Sequence, residues 1–378
     1  MKNLLVIRFS ALGDVAMCVP VVDALARQFP DLHITFLTRP FMRPLFAAMP
    51  ENVEFRGADI KGEYAGIGGL NRLAKELRAT GIDGVADLHD VLRSKFLRMR
   101  FALWGTPTAH IDKGRSERRA LVKHQINRPL ATSFDRYRHV FLQLGFDVNI
   151  DFDRIEAAHL PDISSLLPTR AAGERWIGFA PFAAHEGKIY PLERAERLAA
   201  LLLEEGTADR LFLFGSASEM QQLRTSWTSL PADRLSYAVD CAHDLGEELA
   251  LMSRLNAMIS MDSANMHLAS LVGVPVVSIW GATHPHAGFL GYRQHIENVV
   301  ELPLDCRPCS IYGERACRFG DYRCMSRIEP AEIAKTVRHT LEKAEKSISQ
   351  IPKSHPHDTA TSTGLHQPKL SKFDQRRQ

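Results

Sequence analysis

The chain has 378 residues, of which 45% are hydrophobic and 24% are charged. These fractions are typical of a globular protein and exclude global disorder, and the length favours two domains over one. With 47 basic and 44 acidic side chains the net charge is only +3, too small to indicate a nucleic-acid partner. No apolar run approaches the roughly 18–20 residues that span a bilayer, and the amino terminus does not read as a signal peptide. We therefore expect a cytoplasmic protein.

Strand and helix patterns alternate through the first half of the chain. The predicted strands are 4–9, 33–39, 53–58, 83–89 and 107–112. Strands separated by segments of helical length indicate βαβ units and a parallel sheet. A further helix is predicted at 134–146, followed by a linker over 147–173.

A second series of alternating elements follows the linker. Its predicted strands are 176–181, 210–215, 235–239, 257–262 and 275–281, and its predicted helices are 192–205, 217–228, 244–254 and 263–272. We therefore predict an α/β protein with two doubly wound, Rossmann-like domains, which bind ligands at the carboxyl ends of their strands. We place the domains at 1–165 and 170–346, with a last helix at 330–346 and a disordered tail at 348–378.

Charge is distributed unevenly between the two halves. Residues 1–150 hold 22 basic and 15 acidic side chains, whereas the remainder holds 25 and 29. Ten basic residues lie within 93–128, where the acidic ones are Asp112 and Glu117. This stretch is either a solvated surface or a docking site for an anionic substrate or an acidic membrane. Because Arg93, Leu97, Arg100 and Trp104 share one helical face, the pattern is not that of a clean membrane helix, and we favour an anionic substrate.

The first candidate for chemistry follows the first strand, in the sequence Ser-Ala-Leu-Gly-Asp at 10–14. Glycine permits a tight turn and a close ligand approach. Asp14 either caps the next helix or faces the crevice as a general base. The G-x-G-x-x-G fingerprint of nicotinamide-binding folds is absent here.

Three further candidates follow strands of the second half. A strand ends at Asp262 and a helix begins at Ser263 or Ala264, which is either a local cap or a binding site for a diphosphate. Lys188 is either solvated or a counter-charge for that diphosphate. Glu219 either accepts hydrogen bonds from a ribose or favours a helix start.

Two linked motifs carry a resemblance to a known family. D-S-x-x-M-H-L-A begins at Asp262, and G-V-P-V-V-x-x-W-G-x-T-x-P follows it, with S-A-L-G-D near the amino terminus. In this order they resemble glycosyltransferase family 9, the lipopolysaccharide heptosyltransferases, over residues 1 to about 346. The resemblance implies a GT-B fold, with acceptor binding in the first domain and nucleotide-sugar binding in the second. It also implies an ADP-heptose donor, inversion at the anomeric carbon, and neither metal nor cofactor.

The resemblance assigns roles to residues that match the motifs. Asp14 corresponds to the catalytic base and Lys188 to the lysine on the donor phosphates. The residues that it implies for donor binding are Ser10, Glu219, Asp262, Ser263, Ala264 and His267. For His267, packing of its helix is an equal alternative. The family usually has glycine where Ala264 stands, so the donor sugar stays open.

Four of the six cysteines lie close together in the sequence, at positions 306, 309, 317 and 324. Four thiols at this spacing are able to bind structural zinc. The alternative is that they are free or paired thiols in a stabilised loop.

The expected activity is transfer of heptose to an anionic, lipid-linked acceptor of the lipopolysaccharide inner core, of the lipid A–Kdo type. One alternative is a family member that uses another nucleotide-diphospho-sugar in surface polysaccharide synthesis. A second is a non-catalytic module that binds a nucleotide sugar. The expected partners are the donor and the acceptor, with no nucleic acid, and peripheral contact with the cytoplasmic face of the inner membrane stays open.

Overall fold

A computed structural model describes residues 1–349 as two parallel sheets flanked by helices. The first sheet has the order β3-β2-β1-β4-β5. Its strands are β1 (Asn3–Ile7), β2 (His33–Thr38), β3 (Val53–Gly57), β4 (Gly84–Asp87) and β5 (Thr108–His110). Leu4 to Ile7 of the central strand are fully buried, as expected for a parallel sheet covered on both faces.

The second sheet has six strands in the order β11-β10-β9-β6-β7-β8. They are β6 (Trp176–Ala180), β7 (Arg210–Leu213), β8 (Leu235–Tyr237), β9 (Ala257–Met261), β10 (Val276–Trp280) and β11 (Val299–Glu301). Ten of the eleven strands overlap predicted segments, with β1 beginning one residue early, and the two doubly wound sheets confirm the predicted fold class. The exception is β11, which has only three residues and a single buried position.

Helices connect the strands in both halves. The first half contains α1 (Leu12–Ala16), α2 (Val19–Gln28), α3 (Gly66–Ala79), α4 (Leu92–Leu103), α5 (Arg115–Val122) and α6 (Ser133–Gln143). The second contains α7 (Leu192–Glu204), α8 (Ala217–Ser226), α9 (Ala238–Cys241), α10 (Leu245–Met252), α11 (Ala264–Leu271), α12 (Arg323–Ser326) and α13 (Pro330–Ser349). None of the helices in residues 1–349 combines the length and apolar character that a membrane crossing requires.

The last helix extends further than the sequence pattern predicts. α13 continues to Ser349, so the prediction that a tail begins at 348 is wrong for residues 348 and 349. Residues 350–378, the rest of the predicted tail, lie outside the described part of the chain.

The strand order creates one switch point in each sheet, where the chain reverses its winding direction. In the first sheet the switch lies between β1 and β4, and in the second between β6 and β9. Ligands in open α/β sheets bind at such points, beyond the carboxyl ends of the strands. Because α1 packs directly against α11, the two carboxyl edges face each other across one crevice.

Candidate functional site

A cleft of about 480 Å³ lies between the two carboxyl edges. Its lining includes seven of the eight residues predicted for the site: Asp14, Lys188, Glu219, Asp262, Ser263, Ala264 and His267. The eighth, Ser10, lines a smaller cavity of about 190 Å³ on the side of the first domain. Asp14 lines both cavities, so its carboxylate lies where they meet.

Asp14 lies in the first turn of α1, directly beyond β1. Its Oδ2 is 2.6 Å from Nη2 of Arg8 and accepts a hydrogen bond from the Ala11 N–H at 3.1 Å. Burial raises the pKa of this carboxyl, but the Arg8 charge and the Ala11 N–H outweigh burial and hold the pKa below its usual range. Asp14 therefore both stabilises its own helix start and presents an ionised carboxylate at the crevice, and its role as a general base stays a prediction.

Lys188 and Asp262 meet across the second switch point. Lys188 follows β6, Asp262 follows β9, and Nζ lies 3.0 Å from Oδ2. The Thr283 hydroxyl donates to the same Oδ2 at 2.8 Å. Both charged side chains are shielded, at 13% and 8% exposure. Lys188 is therefore held in the cleft by a buried partner, and is not a freely solvated surface lysine.

The start of α11 forms another part of the cleft wall. The helix begins at Ala264, and the preceding Ser263 makes no side-chain capping bond. Because the first N–H groups of a helix have no partner within the helix, this end has donors for an anion. The Ala264 methyl group stands in the cleft lining, beside those donors.

His267 lies one turn into α11 and packs against Gly13 of α1. A β-carbon on Gly13 would be only 2.7 Å from His267 Cδ2. Burial lowers the pKa of His267 to about 4, so the imidazole is neutral near pH 7. Its Nδ1 is buried without a hydrogen-bond partner in the described part of the chain. The packing role is therefore shown, and a ligand role stays a prediction.

Glu219 caps its own helix at the cleft margin. Its Oε2 accepts hydrogen bonds from the Ser216 N–H at 2.7 Å and from the Ser216 hydroxyl at 2.9 Å. Glu219 therefore has the helix-start role, one of the two alternatives that the sequence left open. Because Glu219 also lines the cleft, contact with a ribose stays a prediction.

The smaller cavity is rich in cations and was only partly anticipated by the sequence. Arg8, Lys113, Arg118 and Arg136 line it. Lys113 and Arg118 belong to the basic stretch 93–128, whereas Arg8 and Arg136 come from other segments and carried no sequence signal. Ser10 lies here too, with its Oγ 3.5 Å from Nε2 of His89.

Burial leaves part of this positive charge without a charged partner. Lys113 Nζ donates to the Asp90 carbonyl at 3.3 Å, and Arg118 Nη1 donates to the Tyr312 hydroxyl at 2.8 Å; both acceptors are uncharged. Burial lowers the pKa of both cations. The Nε atoms of Arg118 and Arg136 are buried without a partner within residues 1–349. An anion in this cavity would satisfy these donors and offset the charge.

The four clustered cysteines lie behind the cleft. Cys306, Cys309, Cys317 and Cys324 are free thiols that line one cavity of about 10 Å³. As the side chains stand in residues 1–349, no group of three or more His, Cys, Asp or Glu is placed to hold a metal ion. Zinc binding stays a hypothesis, for which metal analysis of the purified protein is the direct test.

The model of one protein family, described as glycosyltransferase family 9 (heptosyltransferase), matches residues 70–320 of this chain. The chain belongs to this family. It is therefore a glycosyltransferase, and the recognition made from the motifs at 10–14 and 262–285 is confirmed.

Individual relatives agree with the family assignment. The chain is 26% identical over 300 residues to lipooligosaccharide heptosyltransferase 2 of Haemophilus influenzae, covering 75% of this chain and 84% of that protein. It is 23% identical over 315 residues to lipopolysaccharide heptosyltransferase 2 of Escherichia coli K12, with 79% and 88% covered.

Solved structures agree with the fold. A family 9 glycosyltransferase from Veillonella parvula superposes with a TM-score of 0.71 at 22% identity, covering 90% of this chain and 98% of that one. The ADP-heptose heptosyltransferase II of Escherichia coli gives a TM-score of 0.64 at 20% identity, with 91% and 100% covered. At these identities the likeness supports the two-domain GT-B architecture alone.

Proposed function

We propose that this enzyme transfers heptose from ADP-heptose to an anionic, lipid-linked acceptor of the lipopolysaccharide inner core, with inversion and without a metal ion. The named relatives are heptosyltransferases of lipopolysaccharide or lipooligosaccharide. The observation that carries the proposal is the position of Asp14. Asp14 lies between a cleft with groups suited to a diphosphate and a cavity in which Lys113 and Arg118 have no charged partner within residues 1–349.

In this proposal the donor occupies the larger cleft. Its diphosphate lies at the start of α11, where the helix N–H groups and the Lys188 ammonium offset its charge. Asp262 already holds Lys188 at 3.0 Å, so the ammonium is oriented before the donor binds. The other carboxylate oxygen of Asp262 accepts no hydrogen bond within residues 1–349, and in this proposal it accepts one from a sugar hydroxyl.

The transfer step is a single displacement at the anomeric carbon. The acceptor hydroxyl gives its proton to the Asp14 carboxylate while its oxygen forms the new bond to that carbon. The bond between the anomeric carbon and the donor phosphate oxygen breaks, and its electron pair leaves on the diphosphate. Lys188 and the α11 N–H groups stabilise the charge that develops there. One displacement from the opposite face inverts the configuration.

The acceptor occupies the smaller cavity in this proposal. Arg118, Arg136 and Lys113 recognise a carboxylate or phosphate on the sugar that carries the attacking hydroxyl. Because this cavity and the cleft share Asp14, an acceptor bound there presents its hydroxyl to the base and to the donor at once.

The test is acceptor-dependent release of nucleoside diphosphate. Purified enzyme is incubated with ADP-heptose, UDP-sugars or GDP-sugars, each with and without lipid A–Kdo, and the products are identified by mass spectrometry. We expect ADP release and a heptosylated lipid only when ADP-heptose and the acceptor are both present, with no loss of rate when a metal chelator is added. Preference for another nucleotide sugar would favour the alternative donor, to which Ala264 in place of glycine points. Donor binding without transfer to any acceptor would favour the non-catalytic module.

A further inference from the structure

The outward face of α4 is apolar, although the helix lies on the protein surface. Leu92, Met99 and Leu103 are 87%, 52% and 70% exposed. Successive helix residues are 100° apart, so these three and Phe96 fall within an arc of about 60°. The opposite side carries the packing contacts, through the buried Ser94, Leu97 and Phe101. The face of Leu97, whose mixed composition argued against a membrane helix, is not the outward one, because Leu97 is buried.

Basic side chains border this apolar stripe on both sides. Arg93 and Arg100 lie along one edge and Lys95 lies along the other. The helix sequence, LRSKFLRMRFAL, contains four basic residues and no acidic one. Arg100 stacks on the Trp104 ring at 4.9 Å, at the end of the same helix. We call Leu92, Phe96, Met99 and Leu103, with Arg93, Lys95 and Arg100, the α4 patch.

The neighbouring helix α3 also carries an exposed apolar side chain. α3 packs against α4, and Ile67 in its first turn is 75% exposed. Arg78, at the last turn of α3, stacks on Trp104 at 4.5 Å. Exposed apolar residues that occur singly need no explanation, but a contiguous stripe bordered by cations indicates an interaction surface.

We propose that the α4 patch docks the enzyme on the surface of a bilayer that contains anionic phospholipid. The apolar side chains enter the boundary between headgroups and acyl chains, and the flanking arginines and lysine contact lipid phosphates, which is the arrangement of an interfacial helix. A second copy of this chain fits less well. Two α4 helices brought face to face would oppose the flanking cations of one copy, Arg93, Lys95 and Arg100, with those of the other, without a carboxylate on either helix to neutralise them.

The position of α4 relates this surface to the acceptor cavity. The helix begins at Leu92, two residues after Asp90, and the Asp90 carbonyl accepts the hydrogen bond of Lys113 in the cavity lining. The docked helix therefore starts beside the cavity in which we place the acceptor sugar. A lipid-linked acceptor would reach that cavity without leaving the bilayer; this part of the inference rests on the proposed function.

Vesicle binding by the purified enzyme tests the docking surface independently of catalysis. Vesicles of phosphatidylethanolamine and phosphatidylglycerol are compared with vesicles of phosphatidylcholine alone, by co-sedimentation and by tryptophan fluorescence. Trp176, Trp227 and Trp280 are buried, whereas Trp104 is partly exposed beside the patch. We therefore expect binding to the anionic vesicles with quenching of Trp104 by brominated lipid, and weaker binding at high salt.

Matched variants distinguish vesicle binding through the α4 patch from non-specific binding. The triple variant Leu92→Ser/Met99→Ser/Leu103→Ser is expected to bind anionic vesicles about tenfold more weakly or worse. Ile296→Ser is the control, because Ile296 is 62% exposed but lies on the second domain. Thermal unfolding of both variants should match the wild type, since the replaced side chains are exposed.

Three outcomes would overturn the proposal. They are failure of the wild type to bind anionic vesicles, unchanged binding by the triple variant, and a concentration-dependent dimer that the triple variant abolishes.

A parallel activity measurement keeps this result distinct from the proposed function. We expect the triple variant to match the wild type on a deacylated, water-soluble acceptor and to be slower on acceptor embedded in vesicles. If no variant transfers sugar to either acceptor, the proposed function fails, and the vesicle-binding result still decides the docking surface.

Discussion

The lowered pKa of Asp14 makes its carboxylate a weak base, but the carboxylate is well placed for the proposed role. Its ion pair with Arg8 keeps the carboxylate ionised, which costs basicity but guarantees the form that accepts a proton. The basicity that matters develops when the acceptor enters, because exclusion of water then strengthens the contact between the carboxylate and the hydroxyl.

Replacing Asp14 by asparagine tests its role most directly. Asp14→Asn keeps the size of the side chain but removes the proton acceptor. We expect the transfer rate to fall by about 10²–10⁴-fold, while donor affinity measured by calorimetry stays within about twofold of the wild type. Asp31→Asn, at an exposed position after α2, is the matched control. A wild-type rate in Asp14→Asn would remove Asp14 from the mechanism.

The pH profile should report the Arg8–Asp14 pair. With Asp14 as the proposed base, activity requires its ionised form and is lost as pH falls through the Asp14 pKa. Because that pKa lies below its usual value of about 3.9, kcat/KM of the wild type should show no acid limb above about pH 5. In Arg8→Gln burial raises the pKa without the opposing charge, and the limb should move upward into the measurable range. An unchanged limb would mean that another group limits the rate at low pH.

The Lys188–Asp262 pair allows binding and stability to be separated. Lys188→Met removes a phosphate contact and also leaves Asp262, which is 8% exposed, without its cation. We expect both lower donor affinity and a lower unfolding temperature, since an unpaired buried charge is costly. The double variant Lys188→Met/Asp262→Asn should recover the unfolding temperature but not the donor affinity. Recovery of both would show that Lys188 acts only through folding.

Sequence alone brought these residues together because each follows a strand of a parallel sheet. The motifs fixed the positions of Asp14, Lys188 and Asp262 near one crevice, and the structure places them there. The sequence alone could not show that Lys188 pairs with Asp262, because the two are 74 positions apart and the contact depends on the order of β6 and β9. Nor could it show that Ser10 faces the other cavity, since adjacent residues of a tight loop point in different directions.

At the scale of elements, the contact between α1 and α11 joins the two domains. The helices approach closely at Gly13, where a β-carbon would lie 2.7 Å from His267 Cδ2 and 3.3 Å from the Ala264 Cα. Glycine at this position is therefore required by packing across the domain boundary, and the turn after β1 is only part of the reason for it.

Gly13→Ala should disturb that contact. Relief of the clash requires His267 or α11 to move, so we expect about 1–3 kcal/mol of lost stability together with a higher KM for the donor. Gly68→Ala is the control, because a β-carbon there meets nothing within 4 Å in α3, and alanine should stabilise that helix by about 0.5–1 kcal/mol. Calorimetric unfolding measures both changes. Equal stability of Gly13→Ala and the wild type would contradict close packing at this position.

Element boundaries were predicted well where the apolar pattern was long. The central strands and α7, α8 and α11 agree with their predicted segments to within two or three residues. β11 was not predicted, although β5 and β8, which are equally short, were. α4 was recognised as helical, but which face is buried depends on where α4 packs, and its sequence has apolar side chains on both faces.

At the scale of the molecule, the cleft between the domains and the smaller cavity share Asp14. The crevice follows from the fold class, whereas the cations of the smaller cavity do not follow from any local pattern. Arg8 directly follows β1, Arg118 lies on α5 and Arg136 on α6, so their convergence exists only after the first domain has folded. Tyr312, which belongs to the second domain, closes the set by accepting the hydrogen bond of Arg118.

Arg118 therefore has two candidate roles, which variants can distinguish. As an anion receptor it loses its function when the charge is removed, whereas as a bridge between domains it loses its function when the Tyr312 hydroxyl is removed. For the receptor role we expect Arg118→Gln to raise the acceptor KM about tenfold or more, the effect of one charge-assisted hydrogen bond, with the donor KM unchanged. Tyr312→Phe should leave the acceptor KM within about threefold of the wild type, because the guanidinium stays in the cavity.

A control variant and chemically modified acceptors complete this test. Arg119→Gln is the matched control, because Arg119 is the exposed neighbour on α5 and should not change either KM. An acceptor whose carboxyl is reduced, and another whose phosphate is removed, identify which anion the cavity receives. The acceptor that lacks the recognised group should bind wild type and Arg118→Gln equally weakly, since the interaction is already gone. If the two substitutions at Arg118 and Tyr312 instead raise both KM values alike, the pair serves to align the domains, and the acceptor anion must be held by Arg136 and Lys113.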